Sequence, residues 1–284
     1  MLSAVRLKAF RAATYRLKPG LRLRSKDQAV RFIQERGFSF FWPIQGIELP
    51  SLWAAAAGNR PVPSEHDDPG HVTWGWKDSL LGARRWYYAK VLRKRGTMIS
   101  LEVAPYFYAL SENYGSMEED YLVQYEAGRM TAEAKQVYEA LLEKGPLDTV
   151  ALRREARMTS RDSDARFGRA LTALQADLKV LPVGVAEAGA WRYAYVYDLV
   201  PRHFPELVES ARSIEEPAAR RKLLELYFRS VGAAPLDQPK KVFQWRPDEL
   251  QAALGALLEA GVLQIGLAMK GSEGEWIALS ELAA

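Results

Sequence analysis

The stretch SRDSDARFGRALTALQADLKVLPVGVAEAGAWRYAYVYDL, residues 160–199, changes its hydrophobic period once. Phe167, Leu171, Leu174 and Leu178 recur at the spacing of one face of an amphipathic helix opened by Ser160. Beyond it, KVLPVGV and AWRYAYVYDL read as two strands joined around Glu187, Ala188 and Gly189. Upstream, TAEAKQVYEALLEK is an amphipathic helix that stops at Gly145-Pro146, and Asp148 to Arg157 is a second, shorter helix. Three helices followed by a β-hairpin make a winged helix.

Working outward, a looser version of the pattern recurs near the end. EPAARRKLLELYFRSV is a helix, and PDELQAALGALLEAG is another, with Leu250, Leu254, Leu257 and Leu258 inward and Gly261 as its stop. VLQIGL and EWIAL pair across MKGSEG. A second winged helix of roughly 70 residues is expected there, and the first ~60 residues hold a third, more divergent copy. Toward the start, Ser25 and Gln28 form an S-x-x-Q capping box, Ala29, Phe32 and Ile33 supply an apolar face, and Gly37 ends the helix. PSLWAAAAG reads as a short helix with Pro50 at its first position and Gly58 past its end.

Residues 59–78 read as a loop, and Ser79 to Arg95 returns to a helical period. TMISLEV is strand-like, and PYFYALSEN and MEEDYLVQYEAG suggest two further short helices. The expected fold class is α+β, predominantly helical, with tandem winged-helix (helix-turn-helix) domains and small β-hairpins. The expected organisation is a basic arm over 1–24, a divergent winged-helix region over 25–126 containing a basic helix at 79–95, a winged helix over 127–203 and a C-terminal winged helix over 212–284.

Composition narrows the function classes. The 284 residues are 48% hydrophobic and 26% charged, an ordinary globular mix. No run approaches the ~18 apolar residues of a membrane span. There is no cysteine, which excludes disulfides and thiolate metal sites and fits a reducing compartment. The net charge of +4 is uneven, and no acidic residue precedes Asp27. Such an arm suits contact with phosphates or open solvent; its Arg-rich, acid-poor composition also fits a targeting peptide. A cytoplasmic, nucleoid-associated location is expected.

Winged helices commonly bind nucleic acid, so the helix faces carry the functional argument. In helix 160–178 the side away from the core holds Ala165, Arg169, Thr172, Ala173 and Ala176. Small residues suit packing on a neighbouring domain, and Arg169 alone reads as a nucleic-acid contact. The 79–95 segment offers more: Trp86, Lys90, Arg93, Lys94 and Arg95 combine an aromatic plane with phosphate-seeking charge. Arg84 falls on the apolar side of that helix, where it needs a carboxylate or carbonyl partner, so a structural ion pair is expected. His66 beside Asp67 and Asp68 has donor atoms for a metal but no helical ligand spacing, so an acidic surface or lid loop is expected and no metal. There is no Walker-type or dinucleotide glycine motif and no G-x-S-x-G elbow, so no cofactor is expected.

Three stretches together, RGFSFFWPIQGIELPSLW, RRWYYAKVLRKR and GPLDTVALRREARMTS with the winged helix after it, resemble the AlkZ/YcaQ superfamily of bacterial DNA glycosylases, most closely its AlkZ-related branch. The resemblance spans roughly residues 25–280. It implies three tandem winged helices around a concave basic DNA channel, and hydrolysis of the N-glycosidic bond of alkylated or crosslinked nucleotides. It also implies a catalytic Q-x-Q or Q-x-D motif that positions water and stabilises charge on the sugar. Aligning GIELPSL with that motif puts Glu48 at the first position and Pro50 at the second; aligning Gln45 instead puts Ile47 there. Proline and isoleucine neither accept a proton nor hold water.

Glu48 and Gln45 are therefore the candidate catalytic residues. For Glu48 three roles stay open: a lone base, a cap on the helix beginning near Pro50, or the partner of Arg84. The functional expectation is a protein that binds duplex DNA, damaged DNA included, with an altered or lost catalytic motif. The alternatives are an active monofunctional glycosylase using Glu48 and a winged-helix transcriptional regulator. Duplex DNA is the expected partner, with no membrane and no nucleotide cofactor; the oligomeric state stays open.

Overall fold

A computed structural model describes residues 1–269 and 274–283. One order of elements occurs three times: helix, strand, helix, helix, strand, strand. The first unit comprises α2 (Lys26–Arg36), β1 (Phe38–Phe40), α3 (Leu52–Ala57), α4 (Val72–Leu81), β2 (Tyr87–Ala89) and β3 (Thr97–Ile99), after a leading helix α1 (Ala4–Thr14). Helices α5 (Ala104–Tyr108) and α6 (Asp120–Glu126) lead to the second unit. It holds α7 (Ala132–Lys144), β4 (Leu147–Asp148), α8 (Thr149–Glu155), α9 (Asp164–Ala176), β5 (Val180–Ala186) and β6 (Ala194–Leu199). After α10 (Val200–His203) and α11 (Pro205–Ala211), the third unit is α12 (Glu216–Val231), β7 (Ala233–Pro235), α13 (Asp237–Phe243), α14 (Pro247–Glu259), β8 (Leu263–Leu267) and β9 (Trp276–Leu279), closed by α15 (Ser280–Ala283). Each unit folds its strands into an antiparallel three-stranded sheet with the third strand in the middle. The fold is thus mostly helical α+β, with the winged-helix order repeated three times.

Local chemistry explains the repeat. Ser25 and Thr131 cap α2 and α7 by accepting from the backbone N–H groups of Gln28 and Ala134. Gly37 and Gly232 end α2 and α12 with φ of 78° and 77°, turning the chain directly into β1 and β7. A Cβ at Gly232 would lie 2.7 Å from Leu282 and Phe10 side-chain atoms, so the tight turn and the close packing both require glycine. The MKGSEG connection of the last hairpin falls largely outside the described residues.

Three cores organise the assembly, one of them built by the first unit alone around Phe32, Phe41, Trp86 and Met98. The sheets of the first and third units share one core, in which Phe38 meets Phe107 and Phe243 edge-on at 5.3 and 5.9 Å. The second unit has its own core of Val137, Leu141, Phe167, Leu174 and their neighbours. Burying these aromatic and aliphatic side chains is the main stabilising contribution.

Several expectations are corrected. The basic helix at 79–95 does not form. Helix α4 begins earlier, inside the stretch read as a loop, and ends at Leu81. Tyr87 to Ala89 then pair with Thr97 to Ile99. The apparent helical period joined the end of α4 to a short strand, and pairing of Tyr87 and Tyr88 in the sheet overrides weak local helix propensity. Arg84, Arg93 and Lys94 adopt φ of 50°, 57° and 54°, which no helix tolerates. Pro50 lies ahead of α3 rather than at its first position; Ser51 caps that helix by accepting from Ala54 N–H. The first 24 residues are not a free arm. Helix α1 docks on the third unit, where Arg11 donates to the Val231 and Ala233 carbonyls at 3.0 and 2.8 Å and Thr14 to the Ser230 carbonyl.

Candidate nucleic-acid interface

Glu48 sits in the loop between β1 and α3, half-buried. Its carboxylate lies 2.8 Å from the Arg11 guanidinium, and its backbone N–H donates to the Gln238 side-chain oxygen at 3.0 Å. Gln238 on α13 in turn donates to the Gly46 carbonyl. Tyr15 and Tyr227 stand beside this pair with buried hydroxyls that have no hydrogen-bond partner among the described residues; burial raises the pKa of both. Glu48 therefore neither caps α3 nor meets Arg84. Gln45 is exposed, near the Gly46 turn.

Arg84 pairs with Glu206 and lies 5.0 Å from the centre of the Phe204 ring, tying the first unit to α11. With 41% of its side chain exposed, it lies at the surface rather than on an apolar face. Trp86 is only 1% exposed and packs in the first unit's own core with Phe32, Phe41 and Met98, so it has no free face to offer a base.

The basic residues after it converge on the second unit. Lys90 donates from its backbone to Gln175 at 3.3 Å and from its ammonium to Thr172 Oγ1 at 3.2 Å. Burial, reinforced by Arg95, lowers its pKa. Leu92 to Lys94 form a single tight turn packed against α9. Two consecutive left-handed residues, Arg93 and Lys94, each cost about 1 kcal/mol or more, a cost the surrounding contacts sustain. Arg93, Lys94 and Arg95 are exposed. Lys94, Arg166 and Arg169 line one groove of about 750 Å³ along α9, with Thr131, Thr172 and one carboxylate, Glu133, 3.8 Å from Arg166. The small residues of α9, Ala165, Gly168 and Ala173, form its floor. The chain thus brings Lys94 and Arg169 to one groove with Lys90 bonded to its Thr172, leaves Arg93 and Arg95 exposed on the adjoining turn, and separates Trp86 and Arg84.

In the acidic loop, the Asp68 carboxylate accepts from Arg60 at 2.6 Å and from Gly70 N–H at 2.7 Å, and the Arg60 hydrogen bond lowers its pKa. His66 stacks on Trp74. No cluster of three potential metal ligands occurs among the described residues.

Lys77 has no counterpart among the candidates read from sequence. It is fully buried (0% exposed). Its ammonium donates to Asp78 at 2.5 Å and to the Tyr195 hydroxyl, and the Tyr195, Tyr88 and Phe41 rings surround it at 4.4, 5.2 and 5.5 Å. Burial lowers its pKa against the opposing pull of Asp78. The Tyr193 hydroxyl donates to the other Asp78 oxygen at 3.1 Å. The turn end of the second unit's wing is therefore fastened across α4, the helix that in a lone winged helix would be offered to a groove. A lysine amid VTWGWKD, a stretch otherwise poor in charge, was the available signal.

Fold and surface together define a triple winged-helix protein with a basic groove between its first two units. The chain belongs to the AlkZ-related family, whose description is AlkZ related and whose match covers residues 23–244. A DNA glycosylase AlkZ from Streptomyces sahachiroi has a similar structure: the TM-score is 0.61 at 13% identity, over 99% of this chain and 72% of that one. At that identity the likeness concerns the fold. No curated protein sequence matches the chain. No helix among the described residues is long and apolar enough to cross a membrane.

Proposed function

We propose that this chain binds duplex DNA, damaged duplexes included, on an AlkZ-type scaffold whose catalytic motif is altered. The observation that carries the reading is one groove lined by Lys94, Arg166 and Arg169, with the Lys90 ammonium bonded to Thr172 of the same lining. Cations along a groove neutralise backbone phosphates and release counterions, which makes binding salt-dependent but largely sequence-independent. The solved structure named a DNA glycosylase supports nucleic acid as the partner class. An intracellular site of action follows from that reading.

The altered motif rests on Glu48 and its surroundings. Its carboxylate is engaged by Arg11, and Pro50, two positions on, is buried and has no polar side chain. Glycosylase action through Glu48 is the second reading, favoured by the two tyrosine hydroxyls near that carboxylate that have no partner among the described residues. A sequence-reading regulator fits less well, because α4 lies under the neighbouring wing and the exposed face of α9 offers two arginines among small residues, with no Asn or Gln to read base edges.

Fluorescence anisotropy with undamaged, methylated and crosslinked duplexes, titrated across salt, tests this. Affinity should fall steeply with salt. Removing one phosphate-neutralising cation, in Lys94→Ala or Arg169→Ala, should shrink the log–log slope by about one. Salt-independent binding, or none, rejects the proposal. An alkaline chase on the same samples reveals abasic sites; breaks that vanish in Glu48→Gln would select the glycosylase reading.

A further inference from the structure

At the C-terminal end of α9 a pocket of about 440 Å³ opens where all three units meet. Leu92 and Phe107 come from the first unit and its following helix, Asp177 from the second, Phe243 and Trp245 from the third. Phe243 and Trp245 stack at 4.2 Å with an interplanar angle of 16°, so a partly exposed indole is braced as a flat wall. Facing it are polar groups. Glu112 is paired with Arg129 at 2.7 Å. The Asp177 side chain has no hydrogen bond or ion pair to the described residues; its backbone carbonyl accepts from Asn113 at 2.7 Å and its backbone N–H donates to the Ala173 carbonyl at 2.9 Å. Desolvation raises the Asp177 pKa, opposed by the charges of Lys179 and Lys94.

The pocket adjoins the basic groove. Both flank the contact between α9 and the 92–94 turn: Lys94 and Ala173 line the groove, Leu92 and Ala176 the pocket. A strand whose phosphates lie along the groove would therefore pass the pocket mouth. The volume suits a single base with its sugar outside. A carboxylate only accepts hydrogen bonds, so it selects a base edge that offers paired N–H donors. Guanine presents such a pair, and adenine does not.

We propose that this pocket receives one unpaired guanine from a DNA duplex, stacked on Trp245 and hydrogen-bonded through its N–H edge to Asp177. The proposal rests on the duplex-binding reading above and adds a base to it. Extruding a base costs unstacking and unpairing energy, least where the base already lacks a partner, so binding should favour such sites.

The test uses the full chain and three duplexes of one sequence: fully paired, with one guanine opposite an abasic-site analogue, and with one adenine there instead. Anisotropy at fixed salt should give the unpaired guanine about tenfold tighter binding than the paired duplex, the effect of one stacked base. The preference over adenine should disappear in Asp177→Asn. The preference over paired DNA should collapse in Trp245→Ala and survive in Trp245→Phe. Arg169→Ala should weaken all three duplexes and leave their ratios alone. Equal affinity for all three duplexes, or a guanine preference that persists in Asp177→Asn, overturns the assignment. Failure to bind any duplex would instead reject the DNA-binding reading beneath it. Should Trp245→Ala not fold, Asp177→Asn, at the surface of the pocket, decides alone.

Discussion

Arg11 and Glu48 meet 2.8 Å apart, and the same guanidinium reaches the Val231 and Ala233 carbonyls. One side chain of α1 therefore fastens the loop carrying Glu48 to the end of α12. The two halves of this junction differ in exposure. The Glu48 side chain is 41% exposed, so the ion pair itself is screened by water.

Unfolding by urea should separate the contributions. Arg11→Ala leaves two carbonyls and a carboxylate without their donor and should cost about 2 kcal/mol or more. Glu48→Gln should cost less than ~1 kcal/mol. A larger loss for Glu48→Gln would mean that the carboxylate, not the carbonyl contacts, holds the junction.

Lys77 should behave as a buried charge with its partners built around it. Lys77→Ala leaves Asp78 short of its cation and opens a cavity among Phe41, Tyr88 and Tyr195, so a loss of about 3–5 kcal/mol is expected. Lys77→Met keeps the volume and should lose clearly less. Equal losses for the two variants, read from chemical denaturation, would contradict the charge-in-an-aromatic-cage account.

Lys179 supplies a pH signature. It is buried beside Asn113, and burial lowers its pKa to about 8, while the unfolded chain keeps it near ~10.4. Below pH 8 it is charged in both states and its burial opposes folding. As pH rises through the folded value the native state releases its proton first, so the unfolded state binds more protons and stability increases. The parent should gain on Lys179→Met between about pH 8 and 10, by at most ~1.4 kcal/mol per pH unit. A difference between the two that stays flat across that window would exclude the buried-charge origin. Above ~10 the buried tyrosines, with raised pKa values, act in the opposite direction.

Much of the repeat was legible because its signals are local. Ser25, Thr131, Gly37 and Gly261 mark helix ends through their own backbone and side-chain chemistry, and the leucine spacing of α9 and α14 reports one buried face. Strands of two or three residues, such as β4 and β7, carry too few positions for an alternating period to register.

By itself, the sequence determined the helix caps and stops, the amphipathic faces of the second and third units, the absence of thiol chemistry and the excess of cations around residues 90–95. Tertiary structure alone decided which of those cations share a surface. Trp86 and Lys90 are four residues apart, yet one is sealed in a core and the other reaches across to Thr172. The partner of Glu48 lies on a helix that precedes it by more than thirty residues, and the Asp177 pocket draws walls from all three units. Pairings at such separations depend on how packed units meet, and the hydrophobic period of a single segment does not encode that meeting.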